Sequence, residues 1–295
     1  MGEVKKHKRK KKCYVEYDYE TLYDKQIEDM NEALEKEMLM LKNKCVYATK
    51  EIEAGVMKEI EIYPEFSRAE LKGNRAKKRN KEAQSNLNDK NARKHLIRLI
   101  NTNFQNGDMW ITLTYLDEYL PNNMEEALKN IKNFMRRINY RRKKEGLDKA
   151  KYIYITEYAE GKKGIRCHHH IVMDGALPMD VIESTWKYGR RNNLRKLSMD
   201  ECGLTGVANY LAKDPKGNKR WCSSTNLKQP TVRKNHYKFK KKKVQSLVKN
   251  IDSIKIEMEK TYLGYVFIDT KIRFNEYNSM FYIYTRMRRK LGGKE

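Results

Sequence analysis

The stretch Arg166-Cys167-His168-His169-His170-Ile171-Val172-Met173 sets three of the chain's six histidines in a row and runs straight into an apolar segment. In a β-strand, residues two apart share a face, so His168 and His170 point one way, about 7 Å apart along the backbone, and His169 and Ile171 point the other. Two imidazoles on one face can converge on one metal ion. The preceding segment carries Glu157 in "ITEYAE". A hairpin partner strand lies about 5 Å away, which brings the Glu157 carboxylate within reach as a third ligand. Imidazole with carboxylate suits Mn²⁺ or Mg²⁺ and leaves positions open for a substrate phosphate. Cys167 adjoins His168 but points away from the ligand face. Further along, Tyr210 and Lys213 are three residues apart in "LTGVANYLAKD" and share a helical face. A phenol with an ordinary pKa of roughly 10 is a poor nucleophile at neutral pH. It needs a substrate polarised by a metal, or a cation that favours phenolate. Lys213 serves either as that cation or as a holder of the phosphate.

These side chains need elements to aim them. "MWITLTY" (Met109–Tyr115) alternates β-branched and aromatic residues and predicts a strand. Pro121 and Asn122–Asn123 open a helix from Met124 to about Lys144, with Leu128, Ile131, Phe134, Met135 and Ile138 on one face. "KYIYITEY" (Lys151–Tyr158) and "CHHHIVM" (Cys167–Met173) are two more strands, joined by the turn "EGKKGIR". Pro178 begins a helix reaching about Tyr188, and Leu204–Asp214 is a short helix stopped by Pro215 and Gly217. This order predicts an α+β fold built on an antiparallel sheet. Residues 1–24 read as a basic tail and 25–104 as a helical N-terminal extension. The helical reading rests on the stripe Ile27, Met30, Leu34, Met38, Leu41 and Cys45, carried on to about Ile62, and on a charged run over 67–95. Residues 105–230 form the core. Residues 231–295 form a basic segment followed by the late strands "YLGYVFI" and "MFYIYTRM".

The formal net charge of +25, from 64 Lys and Arg against 39 Asp and Glu, calls for a polyanionic partner, with nucleic acid ahead of an anionic membrane. Five scattered cysteines without a CxxC pair argue against a disulfide framework or zinc ribbon and predict a reducing cytoplasm. The basic N-terminus has no apolar core of a secretory signal, and no run approaches the roughly 18 apolar residues of a membrane span.

Three motifs in order resemble those of the HUH endonucleases, in particular the rolling-circle replication initiators of phages and small plasmids. "WITLTY" is similar to their first motif, "HHHIVM" to the metal motif, with His169 where an apolar residue is usual, and "NYLAKD" to the Tyr-x-x-Lys motif. "RWCSSTNLKQP" (Arg220–Pro230) resembles a segment that follows it in phage-type members. The resemblance implies an RRM- or ferredoxin-like antiparallel sheet with helices on one face. It sets His168 and His170 on a central strand and lays the tyrosine helix across the same face. It implies that Tyr210 attacks a phosphate of single-stranded origin DNA, becoming linked to the 5′ end and leaving a 3′-OH for a host polymerase, with a host helicase as a further partner. A later 3′-OH can religate the strand. Arg166, Arg220, Lys228, Lys240 and Lys241 would hold the DNA, and Trp110 would stack an unpaired base. A single motif tyrosine suggests one nucleophile, and the chain has no Walker-type loop. The rival readings are a relaxase or transposase with the same chemistry, a non-catalytic RRM-like nucleic-acid binder, and a metal-dependent nuclease that uses water.

Overall fold

A computed structural model describes residues 45–65, 81–158, 166–190, 192–212, 221–275 and 280–290, with the side chains of 81–87 left aside. These residues form two five-stranded sheets and six α-helices, an α+β fold. They group into two compact units. One takes the described residues of the ranges up to Ile52, Lys58–Lys90 and Val232 onward; the other takes Glu53–Met57 and Asn91–Thr231.

The second unit holds the expected strands. Its sheet has the order β6-β3-β5-β4-β7, with β3 Met109–Thr114, β4 Tyr152–Glu157, β5 His168–Met173, β6 Asn193–Lys196 and β7 Cys222–Ser223. All four pairings are antiparallel, and β5 is the central strand. Its helices are α1 Lys81–Asn103, α2 Met124–Lys144, α3 Met179–Thr185 and α4 Thr205–Leu211, and a 3₁₀ turn lies at Asp117–Tyr119.

Helices cover both faces of this sheet. The cause is visible in β3, where neighbouring residues Trp110 and Ile111 point to opposite faces and both are buried. On one face Ile111, Leu113, Ile171 and Met173 pack on α2 and on Ile182 of α3. On the other, Trp110, Ile153, Ile155 and Val172 pack on Leu96, Leu99 and Ile100 of α1 and on Ala208 and Leu211 of α4. Helix α2 starts where expected. The Asn123 side chain accepts from the Glu126 backbone N–H at 2.8 Å, and Ala127, Ile131, Phe134, Met135 and Ile138 recur at three- and four-residue spacing on its buried stripe. At its other end Arg142 pairs with Asp174.

The first unit corrects the helical reading of residues up to 62. Val46–Ala54 and Met57–Glu65 are strands β1 and β2, joined by a turn at Gly55, with φ +62°. The period-two run Glu59-Ile60-Glu61-Ile62 and the β-branched Val46, Thr49 and Ile52 outweigh the stripe that ends at Cys45. The stripe's earlier members, Ile27 to Leu41, and the basic tail lie outside the described residues. Here the sheet order is β8-β1-β2-β10-β9, with β8 Thr231–Asn235, β9 Tyr265–Asn275 and β10 Met280–Arg289. Helices α5 Lys241–Lys249 and α6 Asp252–Thr261 complete it. The late strands therefore share a sheet with β1 and β2.

Candidate metal centre and tyrosine

The parity of β5 and the register of β4 build the site. Glu157 pairs directly with His168, and His170, one step along the same face, pairs with Ile155 of β4 and Thr112 of β3. The ligand-capable atoms of Glu157, His168 and His170 all lie within 4.8 Å of one another, and no other such group occurs among the described residues. The two Nε2 atoms are 3.0 Å apart. The Glu157 carboxylate oxygens lie 3.4 Å from His168 Nε2 and 3.6 Å from His170 Nε2.

The chemistry of the donors fits a divalent cation. Adjacent ligands about 2.1 Å from an octahedral ion stand about 3.0 Å apart, which is the separation of the two imidazole nitrogens. His168 Nδ1 sits 2.8 Å from the Arg166 carbonyl, which can only accept, so Nδ1 carries the proton and Nε2 presents its lone pair. His170 Nδ1 lies 3.1 Å from the Thr112 hydroxyl, the partner that orients the second imidazole. Burial, and then the neighbouring His168, push the His170 pKa down to about 4, so the ring is a neutral ligand at ordinary pH. Thr112 was legible only through pairing, because its neighbour across the ladder is His170.

His169 faces away and is fully buried. Tyr115 Oη lies 2.8 Å from its Nε2 and Thr156 Oγ1 2.9 Å from its Nδ1, so both ring nitrogens are engaged. Burial, then His168 and His170, lower its pKa to about 3. The sign follows. In metal-free protein the unfolded chain takes up a proton below about pH 6.5 that the folded state refuses until about pH 3, so stability falls on acidification through that window. His169→Gln removes this proton uptake. Between about pH 7 and about pH 4.5 the parent should lose on the order of 2 kcal/mol more than the variant. Urea unfolding with EDTA at both pH values measures it, and parallel losses would remove His169 as a cause. Cys167 is buried on this same far face, its thiol pushed up to about 12 by burial.

Tyr210 reaches the ligand face from α4. Its ring centroid lies 5.1 Å from that of His170, edge to face at 85°, and the residue is 42% exposed. Helix α4 has only seven residues, too short to stand alone. Leu204, Ala208 and Leu211 bury it, and Asn101 of α1 fixes its start by accepting from the Leu204 N–H at 2.8 Å. Gly203, with φ +67°, makes that approach possible, because a Cβ there would sit 2.4 Å from Asn101 Oδ1. Sequence reasoning gave Asn101 no role.

The remaining expected contacts are scattered. Lys213 and Arg220 lie outside the described residues. Arg166 donates to the Tyr115 carbonyl at 2.8 Å and pairs with Asp117 at 2.6 Å. Lys228 is exposed, its backbone N–H bound to Asn103. Lys240 caps α5 and Lys241 opens it, both in the first unit. Trp110 corrects its assignment as a base-stacking platform. It is 5% exposed and its indole stacks on His170, which leaves no open face for a base.

Two neighbouring strands of one antiparallel sheet, β4 and β5, thus carry a metal-capable triad, and a tyrosine lies on the same face. Residues 108–215 match the family model described as replication-associated protein ORF2/G2P. That span runs from just before β3 to just past α4 and contains Glu157, His168, His170 and Tyr210, so the match supports a replication-associated role with DNA as the partner. No curated protein and no solved structure matches the chain. No helix among the described residues is long and apolar enough to cross a membrane.

Proposed function

We propose that this protein is a rolling-circle replication initiator of the HUH type that nicks single-stranded origin DNA by transesterification. One observation carries the reading. The candidate nucleophile Tyr210 and the triad Glu157, His168 and His170, brought from a helix and two strands, meet on one face of one sheet. Tyr210 Oη attacks the scissile phosphorus and the P–O3′ bond breaks. The downstream fragment becomes linked through its 5′ phosphate as a phosphotyrosine ester, and the phenolic proton passes through solvent to the departing 3′ oxygen of the upstream fragment. Nothing is oxidised or hydrolysed, so a later 3′-OH can reverse the step and religate the strand. Glu157, His168 and His170 would hold a divalent ion, Mn²⁺ or Mg²⁺, which when bound supplies Lewis-acid stabilisation of the phosphate. Lys213 either holds that phosphate or favours the phenolate. The excess of positive charge, +25, holds the DNA backbone and makes binding fall steeply with salt.

The test mixes the protein with single-stranded origin DNA and Mn²⁺ and resolves the products on a denaturing gel. A covalent protein–DNA adduct that EDTA prevents is expected. Tight binding without cleavage would instead make the chain a nucleic-acid binder, and cleavage without adduct would make it a nuclease that uses water.

A further inference from the structure

We infer that Trp110 is a positioning residue for Tyr210, holding the phenol against the metal-ligand face; this rests on the nicking reading above. Three rings contact one another pairwise. The Trp110 indole stacks on His170 with centroids 5.3 Å apart and planes at 28°. Tyr210 meets Trp110 edge-on at 5.4 Å and 77°, and meets His170 edge-on at 5.1 Å and 85°. The triangle joins β3, β5 and α4, elements far apart in the chain, at the two groups that the proposed reaction must bring together.

Tyr210 needs such a support. Its helix is anchored through Leu204, Ala208 and Leu211, which fix the axis but not the direction of a half-exposed ring at the edge of the helix. The two ring contacts bear directly on that direction. Trp110 can supply it because it is itself immobile. Its backbone is paired on both sides, to Val172 of β5 and Arg195 of β6, and its side chain is buried among Ile153, Ile155 and Val172. The Arg195 guanidinium lies over the ring at 5.7 Å. An aliphatic residue could fill the same core volume, but it would offer neither a flat surface to His170 nor a ring for the edge of Tyr210. A shift of about 1 Å in a reacting group can cost about 10²-fold in rate without any change in substrate affinity.

The experiment compares the parent, Trp110→Leu and Trp110→Phe in four measurements. These are the rate of adduct formation at saturating single-stranded DNA, Mn²⁺ affinity by calorimetry, DNA affinity by fluorescence anisotropy and the thermal melt. Trp110→Leu should form adduct roughly 10–100-fold more slowly at saturating DNA, with Mn²⁺ and DNA affinities within about twofold of the parent. Trp110→Phe keeps a ring too small to span both contacts and should be slower by roughly 3–10-fold. A parental rate in Trp110→Leu overturns the inference. So does a fall in Mn²⁺ affinity as large as the fall in rate, which would place Trp110 in support of the metal ligands alone. Should Trp110→Leu melt below the assay temperature, Trp110→Phe decides by the same two readings, a parental rate again overturning the inference. Failure of the parent to form adduct on origin DNA is a separate result that overturns the nicking reading itself.

Discussion

Tyr210→Phe protein is expected to bind single-stranded DNA and Mn²⁺ as the parent does and to form no covalent adduct, a loss of at least about 10³-fold in adduct rate. The substitution removes one oxygen and keeps the ring. The edge contacts to His170 and Trp110 are contacts of the ring, so they persist, and the ring is half-exposed in any case. The metal-capable atoms come from Glu157, His168 and His170, none of which the substitution alters. Binding and catalysis therefore separate, as expected for a group whose work lies in the reaction step. A denaturing gel with end-labelled DNA shows whether the adduct has vanished, and mass spectrometry of the parent adduct identifies the linked residue. An undiminished adduct in the variant would assign the nucleophile to another side chain. Cleaved DNA free of protein in both forms would point to water, and the tyrosine would then be an accessory of the ligand face.

How far the site was legible in the sequence follows from the kind of rule each part obeys. The triad follows from parity and a hairpin. Alternation puts His168 and His170 on one face, and the antiparallel pairing of β4 with β5 sets Glu157 opposite His168, which is its register partner. Helix α2 was legible because one stripe, one asparagine cap and the preceding proline all agree. The placement of Trp110 was not legible, since aromatic residues on a strand look alike whether they meet a nucleobase or a histidine. What decided it was α4 crossing the same face, a tertiary fact. The first unit was obscure for another reason. β1 and β2 carry Glu51, Lys58, Glu59, Glu61 and Glu65, and such charge density suggests an exposed helix, yet all five are buried. Glu65 meets Lys234 and His236, and Glu51 meets Lys58 and Lys238, so three of these four partners, Lys234, His236 and Lys238, come from beyond residue 231. Pairing between chain ends leaves no local pattern. Helix α5 was hidden by Lys240 to Lys243, cations at the helix end where the macrodipole disfavours them.

The second large effect concerns the metal ligands and their support. EDTA should stop adduct formation, and excess Mn²⁺ should restore it. His170→Ala should lose more Mn²⁺ affinity than the roughly 10–100-fold that an outer hydrogen-bond partner is worth. His170 is the most enclosed of the three ligand side chains, at 5% exposure against 23% for His168 and 39% for Glu157. Its imidazole is held by the Thr112 hydroxyl at one nitrogen. Burial holds its pKa near 4, so it remains a neutral ligand under mildly acidic conditions where a free imidazole, at about 6.5, takes up a proton. Thr112→Val tests the support without touching a ligand. It should cost about 10–100-fold in Mn²⁺ affinity with the fold retained, because it removes the hydroxyl beside His170 Nδ1 and leaves the imidazole to choose its own tautomer. Calorimetry on the two variants ranks the effects. If Thr112→Val binds Mn²⁺ as the parent does while His170→Ala does not, the ligand ring does not depend on that hydrogen bond for its orientation. If both bind normally, the ion is held elsewhere, and the convergence of Glu157, His168 and His170 serves the sheet rather than the reaction.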